Sequence, residues 1–201
     1  PLDLNVSVQP GIDDMVVRLD GLIGDFSAVI SGKVNDFRAM SQVEMAVAIS
    51  GPDIGRLGDL AGMPNIPNVP FSATGKVIRD QQKLRISDSR INIGRLQIAA
   101  DLEIPDLETP IQANLSAEAS VPAIEVFQDV FMLPEGVKGA MTAQIVLEGD
   151  KQQTHVNSLL ITDYGELQAQ GQLRGQRELT GTSMTLWEKG NDLGALLLLA
   201  N

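Results

Sequence analysis

The chain holds few residues able to do chemistry, and each stands alone. His155 is the only histidine and there is no cysteine, so neither a disulfide framework nor a thiolate metal site can form. No Glu or second His neighbours His155 at ligand spacing, and metal sites need clustered donors. It reads as a surface or strand-end residue. Gly51, Gly55, Gly58 and Gly62 open a helical stretch as a phosphate cradle would, but the lysine and the preceding buried parallel strand of such a cradle are missing. They read as close packing around a helix and its turn. Asp13-Asp14 falls in a turn, and Asp101 and Glu103 lie on the polar side of a strand, where solvation accounts for them. Asn5-Val6-Ser7 and Asn114-Leu115-Ser116 match the glycosylation triplet, each inside a strand pattern. HExxH, GxSxG, GxxxxGK[ST] and EF-hand patterns do not occur. The expectation is a protein that is not an enzyme, with no metal and no cofactor.

What would position any functional side chain is a series of strands. Leu2, Leu4, Val6 and Val8 alternate with Asp3, Asn5, Ser7 and Gln9, the period of a strand with one apolar face. Val43, Met45, Val47 and Ile49 repeat the pattern, as do Leu96, Ile98, Ala100, Leu102 and Ile104, and then Ile111, Ala113, Leu115 and Ala117. Shorter alternating runs span 15–19, 26–34, 71–78, 83–87, 141–147, 156–162, 167–173 and 179–186. Arg79-Asp80-Gln81-Gln82 and Glu148-Gly149-Asp150-Lys151 read as hairpin turns.

A different phrase interrupts the strands. Ile54, Leu57 and Ala61 stand at helical spacing, as do Ile124, Phe127 and Phe131, and Leu193, Leu196, Leu197 and Ala200, which predicts helices near 53–61, 122–132 and 192–200. Asp53 and Asp192 suit helix N-termini, and Pro64 and Pro134 end the first two copies. Gly24, Gly94 and Gly165, each leading into a strand, keep the same beat of about seventy residues, the signature of a repeat architecture. On this reading 1–51 are the strands of a first, truncated repeat, 52–121 the second, 122–190 the third and 191–201 the start of a further one, within one continuous domain. Both ends fall inside a unit, so the chain reads as a fragment of a longer array.

With 15 basic against 26 acidic residues and a net charge of -11, the chain would repel phosphate backbones and anionic membrane surfaces, which argues against nucleic acid as a partner. No apolar stretch approaches the roughly 20 residues that span a bilayer. Aromatics are only 3% of residues, so the interior falls to aliphatic and small side chains. Many inward positions are small, among them Ala28, Gly32, Ala73, Gly75, Ala100, Ala113, Ala117, Ala143, Ala169 and Gly171. Two such faces would underfill a sandwich about 10 Å thick, so either larger residues oppose them or something else occupies the gap. A closed sandwich or barrel with uneven packing is the plainer alternative.

Ser50-Gly51-Pro52-Asp53-Ile54-Gly55-Arg56-Leu57-Gly58-Asp59-Leu60-Ala61, then Pro70-Phe71-Ser72-Ala73-Thr74-Gly75, then Leu84-Arg85-Ile86-Ser87 and Ile93-Gly94-Arg95-Leu96, resemble the AsmA family of bacterial envelope proteins. The likeness is densest over 43–118 and fainter over 121–190, where Val121 and its neighbours replace the glycines and Asp53. It implies a mainly β fold, an elongated antiparallel sheet curled into an open hydrophobic groove. It implies a periplasmic location and an inner-membrane tether through an N-terminal anchor outside this chain. It also implies a bridge-type lipid transfer function, carrying glycerophospholipid between inner and outer membranes.

The residues expected to line that groove and meet phospholipid acyl chains are Leu4, Val6, Ala28, Ile30, Met45, Val47, Ala73, Ile86, Ile98, Ala100, Ala113, Leu115, Ala143, Ile145 and Ala169. The alternative is a structural or interaction scaffold for outer-membrane protein assembly, presenting sheet edges to envelope proteins.

Overall fold

The computed structural model describes residues 2–11, 14–35, 42–61, 66–128, 137–150, 152–174 and 182–190. Their strands are β1 (Leu2–Pro10), β2 (Met15–Ile23), β3 (Phe26–Val34), β4 (Gln42–Gly51), β5 (Phe71–Asp80), β6 (Lys83–Ile93), β7 (Leu96–Ile104), β8 (Asn114–Val121), β9 (Met141–Gly149), β10 (Gln153–Thr162), β11 (Gly165–Arg174) and β12 (Ser183–Gly190). All twelve form one sheet in sequence order, every neighbour antiparallel. β1 and β12 stand at opposite edges and do not pair, so the sheet is open rather than a barrel. Among the described residues no helix is long and apolar enough to cross a membrane.

Two-residue turns set much of the register. Ile23 pairs with Phe26 and Ile93 with Leu96, leaving Gly24-Asp25 and Gly94-Arg95 as the loops. Gly24 and Gly94 have φ of 64° and 57°, and a glycine at the first central position is the choice of a type II′ hairpin, whose twist suits the flanking strands. Thr162 pairs with Gly165, so in the third such hairpin Asp163-Tyr164 form the loop and Gly165 is the first residue of β11, not a turn glycine. β3, β7 and β11 nevertheless begin at the same rim, four strands apart.

The Arg79-to-Gln82 turn is shorter than the sequence pattern suggested. Asp80 pairs with Lys83, so Arg79 and Asp80 belong to β5 and only Gln81-Gln82 turn. β6 carries a bulge: its register slips against both neighbours around Asp88, whose φ is 55°. Asp88 donates its backbone N–H to Asp101 at 2.9 Å, which holds the bulge against β7. The strand expected from Ile111 starts later. Asp106 takes the Glu108 N–H (2.9 Å) and the Thr109 hydroxyl (2.8 Å), and Pro110–Gln112 form a 3₁₀ turn before β8. Proline's fixed φ suits the first position of such a turn, and it leaves Ala113 capping the turn outside the strand.

The helical phrases sit between strands at one rim. α1 (Gly55–Ala61) joins β4 to β5, with the Gly55 N–H donated to Asp53 Oδ1 at 2.9 Å as the acidic start predicts. Arg56 reaches Asp25 in the β2–β3 turn at 3.1 Å, tying the helix to that rim. Between β8 and β9 the expected helix is, over the described part, a 3₁₀ helix at Ile124–Phe127, tighter than the sequence predicts. Ala123 offers no side-chain acceptor there, unlike Asp53. Ile124 and Phe127, three apart, fall on one side of it and pack with Leu96, Val121 and Val137 into the main buried cluster. The helix expected over 192–200 lies outside the described residues.

Candidate binding site on the apolar sheet face

Cross-strand partners in a sheet point to the same face, so the register defines continuous rows. One row runs Val8, Val17, Gly32, Met45, Val77, Ile86, Leu102, Leu115, Leu147, Val156, Gly171 and Met184, one residue from every strand. A second, four residues along on most strands, runs from Leu4 through Gly21, Ala28, Ile49, Ala73, Ile91, Ile98, Ala119, Ala143 and Leu160 to Leu167. Between them lie Val6, Leu19, Ile30, Val47 and Gly75 on one side of the bulge, and Ala100, Ala117, Ile145, Ser158, Ala169 and Leu186 on the other. Eleven strand spacings of about 4.8 Å make each row roughly 50 Å long.

All the expected lining residues except Ala113 stand in these three rows, on one face. Ala113 is the cap of the 3₁₀ turn, and its carbonyl accepts the Gly149 N–H at 3.1 Å.

Among the described residues, Ile124 and Phe127 lie over Leu96 and Val121 at one rim of this face, and Val34 and Val43 are buried at the other. Elsewhere the rows are half-buried, and at the edges they are open: Leu4 is 52% and Leu186 58% exposed. The chain's accessible surface is 12996 Å², against about 9,200 Å² for a compact monomer of this mass. A concavity of about 390 Å³ opens on this face where small residues cluster, lined by Ala117, Ala119, Ala143, Ile145, Leu160 and Ala169 among others. That is within the size range of small-molecule sites.

The opposite face is mainly polar, with Val16, Leu22, Val146, Ile161 and Trp187 exposed among its polar side chains. Arg18 and Asp20 pair at 2.7 Å, Lys83 and Glu103 at 2.7 Å, and Lys76 and Asp88 at 2.9 Å. The basic partner holds each carboxyl below its ordinary range. A concavity of about 570 Å³ lies here, lined by Lys76, Asp88, Arg90 and neighbours, and is a solvated dent at the bulge. Asp106 and Asp150 are held low by backbone N–H groups in their turns. These shifts favour permanent charge, unlike the raised carboxyl of a general acid. His155 is exposed on this face and its Nε2 stands 3.2 Å from Gln153 Nε2. No group of three or more metal-ligating side chains occurs among the described residues.

Two charged residues on the apolar face escaped the alternation reading, Arg79 and Glu188. Arg79 pairs with Val43 and Leu84; Glu188 pairs with Leu167 at the open edge. The signal for Arg79 was its place in the odd series Phe71, Ala73, Gly75, Val77.

Searches against protein-family models, curated proteins and solved structures returned no match to this chain.

Proposed function

We propose that the chain is a segment of a lipid conduit, whose apolar face carries phospholipid acyl chains while the headgroups stay in water. The observation that carries this reading is the apolar row crossing all twelve strands while, among the described residues, no second layer of strands or helices covers most of its face. A soluble domain ordinarily packs such a face against a second layer. Acyl chains supply that layer without directional contacts. Each CH₂ taken from water is worth about 0.8 kcal/mol, so a long chain gains well over 8 kcal/mol gross.

The setting follows from the resemblance to the AsmA family: a periplasmic, repeat-built groove, tethered to the inner membrane from outside this chain, passing glycerophospholipid towards the outer membrane. Supporting the repeat, Gly51, Val121 and Gly190 each end a strand at the same rim, four strands apart. α1 and the 3₁₀ helix follow the first two.

The test is native mass spectrometry, with lipid extraction, of protein purified from membranes. Co-purifying phospholipid that is lost from variants of the apolar rows supports the conduit. A lipid-free protein that also ignores added fluorescent phospholipid sinks it.

A scaffold reading rests on the unpaired edges of β1 and β12, since an open edge is a template for strand addition. Proline substitutions confined to those edges would abolish a scaffold's function and leave lipid crosslinking along the central rows intact.

A further inference from the structure

Arg79 is out of place. It lies at the end of β5 in a row formed by Val34, Val43 and Leu84, on the apolar face, where among the described strands the only other charged residue is Glu188 at the open edge. Val34 is 1% exposed and Val43 is buried as well, so the arginine stem rises from an apolar floor. Its Nε donates to the Gln81 carbonyl at 3.2 Å, and among the described residues no carboxylate stands within ion-pair distance of its guanidinium. Two neighbouring cations are paired: Lys33 with Asp14 at 3.2 Å and Lys83 with Glu103 at 2.7 Å.

An arginine whose stem follows an apolar surface keeps its head in water, which puts the guanidinium at the boundary where the polar end of an amphiphile lies. The guanidinium fork matches a phosphate oxygen pair in a way a lysine does not. From Arg79 the apolar side of β5 continues through Val77, Gly75 and Ala73 to Phe71, eight residues or about 27 Å of strand. One leaflet of hydrocarbon is about 15 Å deep, half of a bilayer core, so an acyl chain starting at Arg79 fits within β5. Ala73 is small along that path, and at Gly75 Ser89 of β6 stands where a side chain would.

We propose that Arg79 receives the phosphate of a phospholipid whose acyl chains lie along β5, making this rim the headgroup station of the apolar face. The proposal rests on the lipid reading above. It assigns a polar contact to a phosphodiester as such, not to the alcohol esterified to it.

The experiment titrates wild type with two fluorescent lipids of identical acyl chains, a phosphatidylglycerol and a diacylglycerol. Wild type is expected to bind the phosphate-bearing lipid about tenfold more tightly, the size of one charge-assisted contact. Arg79→Gln should erase that preference and leave diacylglycerol binding unchanged. Arg79→Met, which keeps an aliphatic stem over Val43 and Leu84, should do the same and serves if the glutamine disturbs the rim. Arg79→Lys should retain part of the preference, and Arg85→Gln, in β6 on the polar face, all of it. Inorganic phosphate at millimolar concentration should not displace the lipid, which separates a headgroup station from a free-anion site. If wild type binds both lipids equally, or folded Arg79→Gln and Arg79→Met keep the preference, the assignment of Arg79 is overturned while the conduit stands. If wild type binds neither lipid, the conduit reading itself fails.

Discussion

The Phe26 and Phe71 rings meet over Gly51, their centroids 6.0 Å apart and their planes tilted by 43°. Gly51 ends β4 between them, and a Cβ there would run into both rings. At the matching rim position four strands later, Val121 is accommodated because Leu96 and Met141 flank it instead. Gly51→Val should therefore overpack this corner and lower stability by about 1–3 kcal/mol in urea or thermal unfolding. Adding Phe26→Leu should recover part of that loss. A Gly51→Val protein as stable as wild type would show that the two rings do not fill the space above the glycine.

Substitutions that differ only by face separate a conduit from a two-sided interface. Leu115 lies on the apolar face of β8 and Asn114 beside it on the polar one; Ile98 and Gln97 stand in the same relation on β7. Leu115→Asp and Ile98→Asp should lose lipid crosslinking, and each costs several kcal/mol where the site stays dry. Ile98 also packs against the buried cluster, so its variant should melt earlier than that of Leu115. Gln97→Asp should be nearly silent, and Asn114→Asp should leave lipid crosslinking intact at a small stability cost of about 0.2–1 kcal/mol from Glu103 and Glu148 opposite it. Asn114 Oδ1 accepts the Gly149 N–H at 3.2 Å, an acceptor role that aspartate preserves. Equal loss of function from both faces would argue for a protein interface instead.

Acid should loosen the fold through carboxylates that the native state keeps ionised. The Lys76 ammonium holds Asp88 below the usual carboxylate range, and the N–H groups of Gln152 and Gln153 hold Asp150 low. A depressed native pKa contributes stability that is present above the unfolded value, about 3.9, and is lost as pH falls through the native one. The melting temperature should thus be flat from about pH 8 to 5 and drop below about pH 4. Asp88→Asn tests one contribution cleanly, because asparagine tolerates the positive φ of the bulge as aspartate does. It should melt slightly lower than wild type at pH 7, and the gap should narrow as pH falls below about 4. A constant gap across that range would rule out the ionic contribution.

Alternation made the faces of single strands legible, because side-chain direction along a strand is local. It could not say which strand pairs with which. One twelve-strand sheet and a two-layer sandwich make the same demands on Leu96, Ile98 and Ala100. Register shifts were also hard to see. Leu84 and Ile86 are in phase, as are Ile91 and Ile93, but the pairs are out of phase with each other, and the bulge at Asp88 is the reason. Arg79 was missed because Arg79-Asp80-Gln81-Gln82 looks uniformly polar, as turns do. Only the Asp80–Lys83 pairing assigns its first two residues to β5. The second helical phrase kept its burial but not its geometry. Ile124 and Phe127 suit a 3₁₀ turn as well as an α-helix, since both place residues three apart on one side.

Chain length should dominate lipid affinity, with the headgroup a smaller correction. Each CH₂ is worth about 0.8 kcal/mol, so shortening an acyl chain by two carbons should weaken binding roughly tenfold or more, as long as the chain stays on the apolar rows. Beyond the length of the strand path the gain should level off, since extra carbons have no dry surface to cover. Exchanging the alcohol on the phosphate should matter little, because a single guanidinium grips the phosphate and leaves the rest in water. Salt should change affinity only modestly. The chain's net charge of -11 repels an anionic lipid at long range, and screening relieves that repulsion while it weakens the one local attraction at Arg79. A competition series across acyl length and headgroup, at low and high ionic strength, measures all of this together. Strong selectivity among headgroup alcohols with steep salt dependence would contradict the hydrophobic mechanism. Such a result would require a polar receptor site with several charged contacts, whereas the apolar face contributes two charged side chains among the described strands, only one of them cationic.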